Sequence, residues 1–196
     1  MLIDLHCHTA PYSSCSSLSP AELLSLAEER GLDGVCLTEH DTWWPAEELE
    51  ALRQTTSLLV VAGVEFTTDA GHALAFGIPA GAKVLASGDA VSASAAESGG
   101  VVFLAHPARD GLLRVTAETV RCFDSVEAAN GSDSRLQNMA AAGLAKGFRL
   151  PGIGGSDAHT PAEVGRCATR FTLPVGDETA LVAALRAGAY EAVHCE

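Results

Sequence analysis

The sequence lacks the common signatures of nucleotide and acyl chemistry. It holds no GxSxG elbow, no P-loop and no dinucleotide fingerprint. The runs "GVVFLAH" and "GIGGSD" contain glycine, but neither opens a helix with phosphate-loop spacing. It has no basic run, and 12 Lys and Arg stand against 25 Asp and Glu for a net charge of −13. Such a chain repels a polyanion, so neither long nucleic acid nor an anionic membrane surface is expected as a partner. A small anionic substrate remains compatible, because a bound cation reverses the local field. None of the six cysteines forms a CxxC pair, so reduced thiols and a cytoplasmic location are expected rather than a disulfide framework. No signal-peptide pattern precedes "MLIDLH", and no apolar run approaches membrane-spanning length. Linkers, repeats and low-complexity tracts are also missing, so residues 1–196 read as a single domain.

What is present is alternation. Strand-like runs occupy 2–6, 34–40, 58–67, 72–79, 101–107, 124–130 and part of 151–159, with further pieces around 167–173 and 189–194. Helical patterns fall between them at 19–31, 45–53, 88–99, 116–122, 134–147 and 177–188. Ser19 and Glu22 form a capping-box pattern with Pro20 in the first turn and Gly31 at the exit, and Asp177 and Gly188 bracket the last helix. In 134–147, Leu136, Met139, Ala140, Gly143 and Leu144 share one helical face. Strand–helix alternation predicts an α/β fold with a mainly parallel sheet, open or closed. In such folds functional residues gather at the C-terminal ends of strands.

Those ends are where the chemistry lies. "DLHCHT" carries His6 and His8, which a strand presents on one face with Cys7 turned away into packing. The next runs bring Glu39–His40–Asp41, Glu65, His72 opening the following strand, His106, Asn130, and then Asp157 and His159 with the same two-residue spacing as His6 and His8. Any one of these histidines alone reads best as a hydrogen-bonded core residue. Six of the seven at strand ends read as a metal site, since imidazole and carboxylate suit borderline divalent ions and carboxylates can bridge two of them. His194 has no companions and reads as a surface residue. Arg109, in "HPAR", is either a solvated loop charge or a phosphate clamp, and Arg166 is a weaker candidate for the clamp. Trp43 and Trp44 either line the pocket mouth or cover a helix start.

In this order and spacing, "DLHCHT", "LTEHD", "GVEFTTDAGH", "FLAHPAR" and "GSDAH" resemble the PHP (polymerase and histidinol phosphatase) family over nearly the whole chain. The resemblance implies a distorted (βα)7 barrel with two or three zinc, manganese or iron ions at the C-terminal ends of its strands, and phosphoesterase chemistry. It implies His6, His8, Glu65 and Asp157 as ligands of one metal, and Glu65, His72 and His106 as ligands of a second with Glu65 bridging. His40 and His159 are implied for a third. It also implies Arg109 against a substrate phosphate.

One position departs from the family pattern. Five or six residues after the second histidine of HxH, where most members carry an acid or histidine, this chain has Ser13, Ser14 and Cys15. Two firmly held metals and a weak third are therefore expected. The leading expectation is hydrolysis of a small phosphate ester by metal-bridging hydroxide, with Arg109 holding the phosphate and His159 or His40 protonating the leaving group. A non-catalytic metal-dependent binding module and a hydrolase of a non-phosphate bond are the rivals.

Overall fold

A computed structural model describes residues 1–80, 85–111 and 115–195. The strands are β1 (Leu2–Cys7), β2 (Gly34–Leu37), β3 (Leu59–Ala62), β4 (Val64–Thr68), β5 (Gly71–Phe76), β6 (Val101–Leu104), β7 (Ser125–Asn130), β8 (Ile153–Gly155), β9 (Cys167–Phe171) and β10 (Tyr190–His194). The helices are α1 (Pro20–Glu29), α2 (Ala46–Arg53), α3 (Gly88–Ser98), α4 (Ala117–Val120), α5 (Arg135–Ala145) and α6 (Glu178–Ala187). The capping box at Ser19 and Glu22 forms as the sequence predicts, and Asp177 accepts from Ala180 N while Gly188 closes α6 at φ 69°.

The strands build two mixed five-stranded sheets, β10-β9-β1-β2-β3 and β4-β5-β6-β7-β8. The expected mainly parallel sheet is thus corrected. Pairs β1–β2, β2–β3, β6–β7 and β7–β8 are parallel, whereas β1–β9, β9–β10, β4–β5 and β5–β6 are antiparallel. Only Asp69 and Ala70 separate β4 from β5, and a link that short permits only a hairpin. The run read as one strand over 58–67 breaks at Gly63, where an added Cβ would lie 3.0 Å from the Ala75 carbonyl and the Phe76 ring. The chain changes sheet there.

Ile3, Leu5, Leu74, Phe76, Phe103 and Ile153 come from both sheets and share one core with Leu181 and Leu185 of α6. Helices α1 and α2 pack over the first sheet and α3 over the second. Fully burying each such side chain is worth ~1.5–3 kcal/mol, which fixes the sheets against each other. Strict alternation would put Cys7 with Ile3 and Leu5. Instead Cys7 packs with Leu18 and Leu23, because the β1–β2 register shifts between Asp4 and Cys7.

Helix α5 does not bury its largest apolar side chains. Leu136 and Met139 are exposed, and the buried positions are Asn138 and Ala141. Asn138 exchanges two hydrogen bonds with the Asn130 backbone, 2.7 and 2.9 Å, so backbone pairing at the end of β7 decides the face rather than side-chain hydrophobicity.

Candidate metal centre

The two sheets meet along two seams, and the site lies where both are stitched. At one, Glu65 N donates to Glu39 O (3.1 Å) and Asp41 N to Glu65 O (3.0 Å). At the other, Asp157 N donates to His6 O (2.7 Å) and His8 N to Ala158 O (3.0 Å). His6 lies in β1 with His8 just beyond it, His40 follows β2, His106 follows β6, and Asp157 and His159 follow β8. Glu65 and His72 are the second residues of β4 and β5 rather than residues at C-terminal strand ends, because the break at Gly63 and the hairpin divide that run. Thr67 faces His72 across the hairpin, which makes Glu65 its diagonal neighbour on the same face. Asp41, His106 and Asp157 adopt positive φ (53°, 28° and 53°), a conformation costly for non-glycine residues and held here by the surrounding pairing.

All eight residues proposed from sequence come together. Glu65 is the hub. Its Oε1 lies 2.9 Å from His72 Nδ1 and 3.0 Å from His106 Nε2. Its Oε2 lies 3.0 Å from His40 Nδ1, 3.1 Å from His8 Nε2 and 3.3 Å from His6 Nε2. Asp157 Oδ1 is 3.4 Å from Nε2 of both His6 and His8, and 3.6 Å from His159 Nδ1. Despite these neighbours, the buried Oε2 of Glu65 has no directed hydrogen-bond partner among the described residues. His6 Nδ1 is spent on Glu127 Oε1 at 2.9 Å, so its Nε2, only 3.0 Å from His8 Nε2, is the nitrogen left to face the centre. Convergent imidazole nitrogens and an orphaned carboxylate oxygen are what a divalent cation would satisfy. Three groupings of donor atoms fit such an ion: His6, His8 and Asp157; His40, Glu65 and His72; and His8, His40 and His159.

The sequence profile of the PHP domain matches residues 4–127, and that of the PHP-associated region matches 135–190. The chain belongs to the PHP family. A 5'-3' exoribonuclease from Haemophilus influenzae is 35% identical over 66 residues, a stretch covering 34% of this chain and 23% of that protein. Among solved structures, PsfC from Pseudomonas syringae PB-5123 superposes with a TM-score of 0.73 at 18% identity, over 98% of this chain and 91% of its own. A candidate metal-dependent phosphoesterase from Bifidobacterium adolescentis gives 0.67 at 18% identity, over 95% and 96%.

In this PHP chain the sequence reading missed the residues behind the donors. Glu127 is fully buried and also accepts from His106 N (2.9 Å) and Asn130 Nδ2 (2.9 Å). Asp4, equally buried, accepts from Ser156 N (2.8 Å) and His6 N (3.2 Å) and so holds the loop after β8. Glu39 accepts from Thr9 N, Trp44 Nε1 and the hydroxyls of Thr9 and Ser13. Their one sequence signal is an acid set inside or at the end of an otherwise apolar strand.

Electrostatics in the PHP site follow from that crowding. Burial pushes the Glu65 carboxyl up, but the field of His6, the hydrogen bond of His106 and the nearby His40 ring outweigh it and hold it well below the usual range. Burial likewise opposes ionisation of Asp157, and His6, His8 and Arg109 overcome it. Burial disfavours charge on His6, yet Asp157, Glu127 and Glu65 raise its pKa well above the ordinary histidine value. His159 is lowered, first by burial and then by His8.

Arg109 is anchored rather than free. Its Nε donates to Asp133 Oδ1 (2.8 Å), and its Nη2 to Asp157 Oδ2 (2.7 Å) and Asn130 Oδ1 (3.1 Å). Nη1 has no hydrogen-bond partner among the described residues. Arg166 is not brought to the cluster. It lines a separate cleft of about 570 Å³ with Arg135 and His194, whose Nδ1 lies 3.1 Å from Cys167 Sγ. Trp44 is buried with its indole on Glu39, and Trp43 packs edge-on against Phe66 while donating to Ile78 O. Cys15 is exposed and joins none of the donor groupings, and its thiol is raised by partial burial and by the nearby carboxylates.

Proposed function

We propose that the chain is a metal-dependent phosphoesterase acting on a small phosphate ester. The observation that carries this reading is the Glu65 carboxylate enclosed by five imidazoles with its Oε2 unsatisfied. His6, His8, Glu65 and Asp157 would hold one divalent ion, and Glu65, His72 and His106 a second, with zinc, manganese or iron suited to the N and O donors. His40 and His159 would offer a weak third position. His8 Nε2 is already committed between Glu65 and Asp157, so little protein remains for that third ion. Bound cations supply Lewis-acid activation of water and neutralise phosphate charge.

The chain's own groups do the rest. Arg109 holds a phosphate oxygen through Nη1, while its Nη2 fixes Asp157 and its Nε is anchored on Asp133. His159 fixes its ring by donating Nδ1–H to Asp157 O (2.9 Å), which leaves Nε2 as the nitrogen that would pass a proton to a leaving oxygen once the ring is protonated; His40 stands close enough to share that role. A cavity of about 180 Å³ lies against His72, His106 and Arg109, walled by Ala70, Leu104 and Pro107. Its size suits a small leaving group. The two stitched sheets are read as a distorted barrel of one domain, and the free cysteines fit a reducing, cytoplasmic setting.

The partial match to an exoribonuclease supports a second reading, cleavage of a phosphodiester at an RNA end. The net charge of −13 favours the small ester. A panel of phosphate monoesters, simple diesters, carboxylic esters and short oligoribonucleotides, assayed with Mn(II) or Zn(II) after chelator treatment, decides between them. Metal-dependent release of phosphate from a monoester supports the first reading. Turnover restricted to oligoribonucleotides supports the second. Metal binding without any turnover replaces both with a binding module, and cleavage confined to carboxylic esters with a different hydrolase.

A further inference from the structure

His6 and His8 face the same centre, but their outer nitrogens meet different supports. His6 Nδ1 meets the Glu127 carboxylate directly, whereas His8 Nδ1 meets the hydroxyl of Ser13 at 3.3 Å. Ser13 is buried, and its Oγ lies 2.5 Å from Glu39 Oε2. Glu39 is fully buried with no cationic side chain paired to it among the described residues, and its other partners include Thr9 N–H and the Trp44 indole N–H (2.9 Å), which can only donate.

A serine hydroxyl has one hydrogen and two lone pairs. Glu39, filled by donors, is the acceptor for that hydrogen. Ser13 Oγ is then an acceptor toward its remaining neighbours, His40 N–H at 3.4 Å and His8 Nδ1. The Ser13 side therefore calls for the proton on His8 Nδ1, in competition with the carboxylates that Nε2 faces. A proton on Nδ1 leaves the Nε2 lone pair facing Glu65 Oε2 and Asp157 Oδ1.

We propose that Glu39 and Ser13 are positioning residues for His8, a carboxylate–hydroxyl–imidazole chain that fixes its Nδ1–H tautomer and presents Nε2 to a cation. The proposal rests on the metal-site reading above. It also gives position 13 a role. Where relatives are expected to carry an acidic or imidazole ligand, this chain carries a hydroxyl spent on Glu39, and a carboxylate there would meet the buried Glu39 charge. The turn that delivers Ser13 is itself fixed, with Ser13 N on Thr9 O (2.9 Å) and Ser16 Oγ on His8 O (2.9 Å).

Two measurements test it. The first is the ¹⁵N shifts of the His8 ring in the metal-free wild-type protein at alkaline pH, where the imidazole is neutral. The proton is expected on Nδ1, and a proton on Nε2 overturns the proposal. The second is Zn(II) affinity by competition with a chromophoric chelator. Ser13→Ala is expected to lose about 10–100-fold, the usual cost of removing a partner behind a metal-binding histidine, and Ser13→Thr to recover most of it. Wild-type affinity in Ser13→Ala overturns the chain. If Ser13→Ala does not fold, Ser13→Cys, with a weaker donor of similar size, is expected to show the same direction of loss, and unchanged affinity there counts against it equally. If the wild-type protein binds no metal, the metal reading falls, while the tautomer still decides the relay.

Discussion

The two halves of the cluster differ in what stands behind them. His6 and His8 are fully buried, and each has its outer nitrogen engaged, by Glu127 and by Ser13. Asp157 is tied down by Arg109 and Asn130. Across the centre, His40 and His72 remain 30% and 36% exposed, and among the described residues each ring nitrogen that is engaged meets only Glu65. One half is rigid before any ligand arrives, and the other can adjust. Affinity should reside in the first half and adaptability to substrate in the second, because a pre-ordered donor loses less entropy on binding.

Removing the shared residue should erase the contrast. Glu65→Gln is expected to abolish metal binding in both halves, on the scale of about 3–5 kcal/mol for breaking a buried charge pair. Metal content by mass spectrometry of the purified variant checks this, and full occupancy would refute the bridging role. Glu127→Ala attacks only the rigid half and should weaken metal affinity about 10–100-fold. An effect no larger than that of His72→Ala would break the comparison.

Arg109→Ala tests the substrate side. Loss of a charge-assisted phosphate contact should cost about 1.5–3 kcal/mol in kcat/KM for a monoester, read mainly in KM. Because Arg109 also holds Asp157, a smaller fall in metal affinity is expected with it, which a freely solvated arginine would not produce. Wild-type kinetics and wild-type metal affinity together would return Arg109 to a surface role.

The pH dependence follows from His6. Its pKa is raised in the folded protein, so its stabilising contribution is complete below the unfolded value of 6.5 and is lost as pH rises through the folded value. Metal-free protein should lose thermal stability over that range, and added Zn(II) should raise Tm more at alkaline pH than at neutral pH, because the cation replaces the departing protons. A metal-induced gain independent of pH would sink this. His72→Ala should have the smallest effect, about tenfold or less in metal affinity, since no described residue orders its second nitrogen.

The sequence reading recovered much of this because metal donors are chemically conspicuous. Histidines are scarce, and their placement at the ends of apolar runs needs no tertiary information to be noticed. The eight residues that the fold clusters and the caps of α1 and α6 were legible on that basis. The hidden part was the supporting network. Glu127 and Asp4 look in sequence like ordinary polar interruptions of a strand, and only the fold shows that their partners are His6 and backbone amides from β8's loop. The buried face of α5 is hidden for a similar reason, since the amide of Asn138 satisfies the end of β7 in a way hydrophobic periodicity cannot register.

By itself, then, the sequence determined the element types and which imidazoles and carboxylates stand at the ends of apolar runs, because each depends on residue identity and local spacing. Only tertiary structure decided that the chain divides into two mixed sheets at Gly63, that Arg109 is anchored to Asp157, and that Ser13 donates to Glu39. The last two depend on contacts between residues far apart in the chain, 26 positions for Ser13 and Glu39 and 48 for Arg109 and Asp157. No local periodicity encodes such distances, and the hydrogen-bond inventory of a buried group can be completed only when the folded chain supplies its partners.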